Sequence, residues 1–294
     1  MPNAIEFLLR AQNPDGGWGY RLGGMSYVEP TAAVLLALSD SAARACGRDF
    51  LLALQHADGG WGIAAPDSES GWMTAWAVRA LADFSEARAA VARGVEWLLA
   101  TEGQRITDPA ARQTIHTLFR IDATLGAWPW QPGDAAWVHP TALALLALAA
   151  TGARDHARVR DGVAYLYDRA CPDGGWNIGN PWMLDKKIPA TIQDTAIALL
   201  ALRAVGVTED EGRMTKALRY LRDAIAQAQT SAELAWGIWA LEDWGLGIGD
   251  SLTRLNALQR ADGSWEGNPF LTAIAWTSQK AKRKTQNVKV KPET

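Results

Sequence analysis

A short loop of glycine and tryptophan recurs along this chain, and no other feature constrains its fold as strongly. The copies lie at residues 15–18, 58–61, 173–176 and 262–265. Apolar segments that open with threonine and alanine recur with them, beginning at Thr31, Thr74, Thr141, Thr195 and Thr272. The first two of these threonines are 43 residues apart. Self-similarity at such a period indicates a repeat architecture, in which each unit is one supersecondary element.

Each repeat unit predicts two helices with different surroundings. Residues 3–12 carry Ile5, Leu8 and Leu9 on one face, which is typical of an amphipathic helix. A Pro-Asp-Gly-Gly sequence then ends the helix, because proline cannot continue it and glycine adopts the left-handed cap. Residues 31–38 are apolar on every side, and such a helix must be enclosed by others. A unit is therefore an outer helix, a glycine-tryptophan loop and an inner helix.

The same pair of helices can be traced six times along the chain, with one interruption. In the third unit an insertion at 101–125 replaces the loop, and residues 126–130 resemble a degraded copy of it. The fifth unit begins with a predicted capping box at 208–211. We predict one domain over residues 1–279, followed by a basic, disordered tail over 280–294.

Six helix pairs are compatible with an open solenoid or with a closed ring of helices around an axis. Two features favour the ring. The inner helices are apolar all round, whereas a solenoid usually leaves a polar concave face. The first and last units are as apolar as the middle ones, so no polar capping repeat is present in the sequence. The predicted fold is therefore an all-α, α/α toroid with six inner and six outer helices.

Charge and composition exclude several classes of protein. The net charge is −3, and the basic residues after 279 leave about −8 on the rest of the chain, which argues against nucleic acid as a partner. No segment is long and apolar enough to span a bilayer, and the first residues lack the design of a signal peptide. Two cysteines make no disulfide framework. Cytoplasm is the expected compartment, with peripheral membrane contact left open.

The loops resemble a known repeat. Matches to the QW repeat of the squalene and oxidosqualene cyclases comprise Phe7, Leu8, Gln12, Gly16 and Trp18, then Phe50, Leu51, Gln55, Gly59 and Trp61, and more weakly Gln259, Gly263 and Trp265. The copy at 165–176 has Ala170 in the glutamine position. Over residues 3–279 the chain is thus similar to the terpenoid cyclase and protein prenyltransferase β-subunit superfamily. This resemblance implies a single toroid in which the glutamine and tryptophan tie neighbouring helix pairs together.

A ring of inner helices leaves an axial cavity whose mouth is formed by the helix N-termini. The side chains that we predict to line it are Tyr27, Trp72, Trp76, Trp137, Trp182, Gln193, Trp236, Trp239, Phe270 and Trp276. An aromatic, apolar cavity suits a polyisoprenoid, and aromatic faces stabilise a carbocation by cation–π attraction. For each residue the alternative is simple core packing, because tryptophan at helical spacing is usually buried.

The class II cyclases that this chain resembles open one inner helix with Asp-x-Asp-Asp-Thr-Ala, whose middle aspartate protonates the substrate. Here the window 191–196 keeps Asp194, but Gln193 stands at the position of the acid, and an amide cannot protonate an alkene. Glu29 and His139 occupy the equivalent place in other units. We predict that Asp194 and Glu29, tuned by His139, form a displaced acid site. Helix capping is the alternative for each of them.

Other chemistries of toroidal proteins find less support. The zinc site of the prenyltransferases needs an Asp-x-Cys pair, whereas Cys171 is followed by proline and aspartate, so we predict no metal and no cofactor. Asp67, Glu69 and Asp185 would be available for sugar chemistry, but the QW repeats argue against it. The thioester motif of complement-type toroids is absent from the sequence.

Two functions therefore remain open at this point. The first is a cyclase-like enzyme that acts on a polyprenyl or terpenoid molecule by acid-initiated cyclisation or isomerisation. The second is a non-catalytic isoprenoid-binding protein or interaction scaffold, in which the acid has been lost along with its Asp-x-Asp-Asp sequence. The arrangement of Glu29, His139 and Asp194 distinguishes them, because a catalytic acid has to lie close to the substrate cavity.

Overall fold

A computed structural model of the chain describes residues 3–39, 41–209 and 212–289. Its α-helices are α1 (Ala4–Arg10), α2 (Val28–Ala37), α3 (Ala42–Ala53), α4 (Met73–Leu81), α5 (Arg88–Ala100), α6 (Pro109–Phe119), α7 (Val138–Ala150), α8 (Ala157–Asp168), α9 (Ile192–Ala204), α10 (Gly212–Gln227), α11 (Ser231–Asp243), α12 (Ser251–Ala257) and α13 (Pro269–Lys289). A 3₁₀ turn covers Ser85–Ala87, and a short hairpin joins β1 (Trp182–Met183) to β2 (Lys186–Lys187).

The helices form a closed ring. The inner helices α2, α4, α7, α9, α11 and α13 pack side by side in chain order, and α13 packs back against α2. The outer helices α1, α3, α5, α8, α10 and α12 each contact one or two inner helices from outside. This is the predicted α/α toroid. The open solenoid is wrong, because its first and last units would not touch.

Burial separates the inner helices from the outer ones as the sequence predicts. In α9 every residue from 195 to 202 is buried, which requires protein on all sides. In α10 the buried residues recur every three or four positions, as in a helix with one face on the core, and are Met214, Ala217, Leu218, Leu221 and Ile225. The apolar pattern therefore assigns each helix to its layer.

The loop tryptophans join the two helices of a unit. The indole N–H of Trp61 donates to the carbonyl of Leu51 at 2.7 Å, and its backbone N–H donates to the hydroxyl of Thr74 at 2.9 Å. The same two bonds are made by Trp18, Trp128, Trp176 and Trp265. The degraded copy thus keeps this role through Trp128. The threonine that opens each of these inner helices is also part of the scaffold.

The QW glutamines join one unit to the next. The amide of Gln55 donates to the carbonyl of Gly59 in its own loop and to that of Ala90 on the next outer helix, both at 2.8 Å. Gln12 makes the equivalent pair of bonds. Buried carbonyls that lack a partner are costly, so these amides stabilise the seams between units. The resemblance to the QW repeat implies this role.

Gly59 should not tolerate a side chain. Its φ of +92° is one that side chains rarely adopt, and an added Cβ would lie 2.8 Å from the Arg93 carbonyl oxygen. Gly133 has the same φ with nothing within 4 Å, so it is a matched control. We expect Gly133→Ala to cost about 1–2 kcal/mol from φ alone. Gly59→Ala should cost about 1–3 kcal/mol more from the overlap, measured by urea unfolding. Equal losses of unfolding free energy in Gly59→Ala and Gly133→Ala would contradict close packing at this seam.

Two segments depart from the regular repeat. The insertion at 101–125 contains α6, which buries none of its residues fully and contacts β1. Helix α13 continues to Lys289, past the predicted boundary at 279, because this stretch is rich in Lys, Ala, Arg and Gln, which favour helix. Residues 290–294 of the predicted tail lie outside the described residues. So do two residues of the predicted capping box at 208–211.

Candidate functional site

The inner helices enclose a cavity of about 480 Å³, a volume within the range of about 300–1,000 Å³ that is usual for small-molecule sites. Its apolar and aromatic wall contains Leu36, Trp76, Leu143, Leu146, Ile197, Trp236 and Trp239. Its remaining lining residues are Arg79, Asp83, Glu242, Asp243, Thr277 and Lys280. The charged residues lie towards the C-terminal ends of the inner helices, which we call the C-terminal end of the ring. The cavity is therefore apolar along its wall and charged at this end.

Three of the predicted aromatic residues line this cavity, namely Trp76, Trp236 and Trp239. The rings of Trp236 and Trp239 stack with centroids 5.4 Å apart and an interplanar angle of 19°. Such stacked faces present electron-rich surface to the cavity, which attracts cations as well as hydrocarbon.

A layer of aromatic rings covers the N-terminal end of the inner helices. The ring of Phe270 contacts Trp76 edge-on at 5.9 Å and Tyr20 at 6.1 Å between centroids. Tyr20 also packs against Tyr27 at 5.1 Å. Through Trp76, this layer adjoins the axial cavity. Tyr27 and Phe270, which we predict from the sequence to line the cavity, lie in this layer and are not among the residues that line it. Tyr20 is absent from that prediction.

A second aromatic group surrounds His139. The imidazole stacks on Trp130 with centroids 5.5 Å apart and meets Trp72 edge-on at 5.7 Å. Trp72 and Trp130 contact each other at 4.6 Å. His139 is only 8% exposed, so its ring is held in one orientation by packing.

Glu29 lies within the first aromatic layer. The hydroxyl of Tyr20 donates to its Oε2 atom. Burial raises the pKa of Glu29, while Tyr20, His139 and Trp76 act in the opposite direction by favouring the charged form. Among the described residues the indole N–H of Trp76 has no partner at hydrogen-bond distance, so it acts on the Glu29 carboxyl from further away. A buried carboxyl with a raised pKa holds its proton, and nearby donors stabilise the anion once the proton has left.

Asp194 lies at the start of α9 and takes part in its cap. The hydroxyl of Thr191 donates to Asp194 Oδ2 at 2.8 Å and accepts from the Asp194 backbone N–H at 3.1 Å. The other carboxylate oxygen, Oδ1, lies 3.8 Å from His139 Nδ1. Asp194 thus makes the helix-capping interaction that was the alternative to a role in the acid site, and it also lies close to His139.

His139 connects the three predicted acid-site residues. It lies against Asp194 on one side and acts electrostatically on Glu29 on the other. None of the three is among the lining residues of the axial cavity. Trp76 is the residue that borders both the cavity and the Glu29 carboxyl. The three residues therefore lie at the N-terminal ends of α2, α7 and α9, next to the aromatic rings that adjoin the cavity through Trp76.

Other predicted site residues lie elsewhere. Gln193 is exposed, since successive helix residues point about 100° apart and Asp194 faces inward. Trp182 belongs to the hairpin, where the Arg120 guanidinium lies 3.8 Å from its ring centroid. Trp137 lines a separate pocket of about 130 Å³ beneath the insertion. Trp276 is half-buried on α13 and is not among the residues that line the axial cavity.

Sequence reasoning missed Tyr20, Trp130 and Arg79. Tyr20 and Trp130 each follow a loop tryptophan, Trp18 or Trp128, by two residues. In extended backbone such positions share a face, which is a signal that the sequence carries. Arg79 follows Trp76 by three residues on α4, so the two share a helix face. Its place in the cavity depends on the ring being closed.

The described residues lack two further kinds of feature. None of their helices has the length and apolar character needed to cross a membrane. No group of three or more His, Cys, Asp or Glu side chains among them is arranged to hold a metal ion.

The raised pKa of Glu29 implies a measurable pH dependence of stability. Between its ordinary pKa and the raised one, the folded state binds more protons than the unfolded state, so the free energy of unfolding falls as pH rises. Glu29→Gln lacks this proton. Its stability relative to the parent should therefore improve from about pH 4 to about pH 8 in urea unfolding. Glu69→Gln, in an exposed loop, is the control. A constant difference for Glu29→Gln would show that Glu29 ionises freely in the fold.

Comparison with known proteins agrees with this description. Residues 1–116 match the family model of the squalene-hopene cyclase C-terminal domain. A squalene–hopene cyclase from Zymomonas mobilis is 28% identical over 227 residues, which cover 70% of this chain and 34% of that protein. The chain thus spans about a third of the length of this curated relative.

Solved structures share the fold at low identity. A type II terpene cyclase, MstE from Scytonema, in complex with geranylgeranyl dihydroxybenzoate, has a TM-score of 0.66 at 15% identity, over 96% of both chains. A protein from Actinoplanes has a TM-score of 0.64 at 18% identity, over 95% of this chain and 97% of that one. The family model and the curated relative support the resemblance to the terpenoid cyclases that is seen in the repeats, and the solved structures share the fold.

Proposed function

We propose that this protein binds a polyprenyl or terpenoid molecule in its axial cavity and transforms it by acid-initiated cyclisation or isomerisation, with Glu29 as the acid. One observation carries the proposal. A buried carboxyl with a raised pKa lies beside Trp76, which lines the apolar, tryptophan-rich cavity. Protonation of an alkene requires a neutral carboxylic acid in surroundings that exclude water.

The contacts of Glu29 suit proton donation. Because Tyr20 donates to Oε2, the proton to be transferred is assigned to Oε1. Transfer to an alkene carbon uses the π electrons for the new C–H bond and leaves a carbocation and a carboxylate. Tyr20, His139 and the Trp76 N–H then stabilise the carboxylate. Trp76 lines the cavity, so its ring can stabilise the cation. The product carbocation then loses a proton to the Glu29 carboxylate or to water, or adds water and releases a proton, which returns Glu29 to its acid form in a redox-neutral reaction.

His139 and Asp194 act as positioning residues in this scheme. With Asp194 Oδ1 3.8 Å from its Nδ1 atom, the imidazole lies beside a carboxylate. On its other side, His139 acts to lower the pKa of Glu29, which favours the Glu29 anion after transfer. The stacking of His139 on Trp130 fixes the position of its ring.

A ligand of this class is also supported by a structural neighbour. MstE from Scytonema has been solved with geranylgeranyl dihydroxybenzoate as its substrate and with merosterolic acid A as its product. Both molecules are isoprenoid. We therefore place an isoprenoid in the cavity of this chain, in contact with Trp76, Trp236 and Trp239.

A second function rests on a different observation. Gln193 is exposed at the position of the family's acid, and Asp194 engages the α9 cap through Thr191. If Glu29 does not act as an acid, the cavity serves a non-catalytic isoprenoid-binding protein. Such a protein would retain its lipid through purification without converting it.

Product analysis tests the two functions together. The purified chain is incubated with squalene, farnesol, geranylgeraniol and their diphosphates, and the extracts are analysed by gas chromatography and mass spectrometry. The enzyme hypothesis expects a product of unchanged mass or its hydrated form, absent with Glu29→Gln. Binding of these ligands without any product would favour the binder. If no isoprenoid is bound or converted, both functions are wrong.

A further inference from the structure

The charged end of the axial cavity contains an arginine without a bonding partner. Arg79 lies one turn after Trp76 on α4 and lines the cavity with it. Within the described part of the chain, its guanidinium makes no hydrogen bond or ion pair. Burial lowers the pKa of Arg79, and the charge of Asp83 opposes this shift. The guanidinium nevertheless stays protonated, because an arginine cannot be deprotonated in a protein.

The carboxylates around Arg79 are engaged with other groups. Asp83 pairs with Arg44 at 3.7 Å, and Asp243 pairs with Arg203 at 3.3 Å. Glu242 also has a partner of its own. Asp83 is two-thirds exposed, so its attraction for a second guanidinium is weakened by solvent. Arg79 is left as the cation that these groups do not neutralise.

The residues that line this end comprise two cations, Arg79 and Lys280, and three carboxylates, Asp83, Glu242 and Asp243. Arg44 and Arg203, which lie outside the lining, pair with Asp83 and Asp243. Lys280 donates to the carbonyl of Ala37 at 2.5 Å, which fixes its ammonium at the end of α2. A half-buried, unpaired guanidinium weakens folding, so its natural complement is an anion that enters the cavity.

We propose that the axial ligand is an amphiphile with an anionic head group, a carboxylate or a phosphate, which Arg79 binds at the C-terminal end of the ring. The hydrocarbon chain then extends along Leu143 and Ile197 towards Trp76. A guanidinium binds either oxyanion through two parallel hydrogen bonds. This assignment rests on the proposed function for the isoprenoid nature of the chain. It also sets the polarity of the ligand, with the head group at the end opposite Glu29.

Matched ligands test the head group. Farnesol, farnesoic acid and farnesyl phosphate share one hydrocarbon chain and differ in charge, and their affinities for the full chain are measured by isothermal titration calorimetry. We expect both anions to bind at least about 10-fold more tightly than farnesol, since charge-assisted hydrogen bonds are the strong ones. The ratio of the affinities for farnesoic acid and farnesyl phosphate shows whether the site prefers a carboxylate or a phosphate. Arg79→Gln should abolish the preference without weakening farnesol binding.

Two variants keep the test specific. Arg203→Gln removes the same charge from the same end of the ring but from a residue already paired with Asp243, so it should retain the preference. Arg79→Lys keeps the charge but loses the two parallel N–H donors of the guanidinium, so it should retain part of the preference for the anions. Arg79→Gln should melt no lower than the parent, because it loses an unpaired charge. An equal loss of preference in Arg203→Gln would overturn the role of Arg79.

Other outcomes separate this inference from the proposed function. Equal affinity for the three farnesyl compounds would overturn the anionic head group and leave the isoprenoid site standing. Binding of palmitate as tight as that of farnesoic acid, lost in Arg79→Gln, would support the head group and contradict selectivity for isoprenoids. If none of these ligands binds, both proposals are wrong.

Discussion

Replacement of Trp61 by alanine should lower the free energy of unfolding by about 3–5 kcal/mol, the usual cost of deleting a fully buried aromatic side chain. Trp61 is 0% exposed and joins α3 to α4 through two hydrogen bonds. Deletion of its ring would leave a cavity, an unpaired carbonyl on Leu51 and a loop without its anchor. Urea unfolding followed by circular dichroism at 222 nm measures the loss.

Two variants separate the contributions at this position. Trp61→Phe keeps most of the apolar volume and loses the indole N–H, so it should cost about 1–3 kcal/mol, the penalty of an unpaired buried carbonyl. Trp182→Ala removes a tryptophan from the half-exposed hairpin, where its partner is Arg120, and should cost about 1 kcal/mol or less. A loss at Trp61 no larger than that at Trp182 would contradict the scaffold role of the loop tryptophans.

Glu29→Gln should reduce the rate of product formation by about 10²–10⁴-fold, the typical contribution of a general acid. Glutamine is nearly isosteric and still accepts from Tyr20, so ligand affinity should stay within a few-fold of the parent. The loss should therefore appear in kcat rather than in KM. Steady-state kinetics on whichever isoprenoid is converted, together with calorimetric affinity, gives both quantities.

Asp194→Asn and Tyr20→Phe are the informative companions of this variant. Asp194 is a positioning residue in the proposed scheme, so Asp194→Asn should lower the rate less than Glu29→Gln does. Tyr20→Phe removes a donor that stabilises the Glu29 anion and should cost an intermediate amount. If Asp194→Asn abolishes turnover while Glu29→Gln does not, Asp194 is the acid, one residue after the family's position, and Glu29 only packs.

The architecture was predictable because the same physical requirement repeats along the chain. A helix that is apolar all round needs neighbours on every side, and six such helices satisfy this by closing into a ring. The loop tryptophan needs a partner for its N–H when buried, which explains its fixed spacing from the outer helix. Even the altered third unit keeps the bond through Trp128.

The site was predictable only in part, because it depends on contacts between units far apart in sequence. Glu29 and His139 could be found from their positions before a Pro-Thr-Ala sequence. The hydroxyl that bonds Glu29 belongs to Tyr20, whose position two residues after Trp18 is a sequence signal, but its contact with α2 depends on how the loop folds back. The exposure of Gln193 follows from the rotation of α9 in the ring, which the sequence pattern does not specify. In the sequence, Arg79 resembles any cation near the end of a helix, and only the closed ring of helices shows that it faces the axial cavity.

The contact between α13 and α2 has a thermodynamic consequence. In a linear array the outermost units have one neighbour and fray first, whereas here every unit has two. Loss of any one unit exposes both flanking interfaces at once, which favours all-or-none unfolding over stepwise melting from an end. The axial cavity depends on the same closure, since residues of all six inner helices form its wall. Unfolding of any one unit would therefore destroy the cavity.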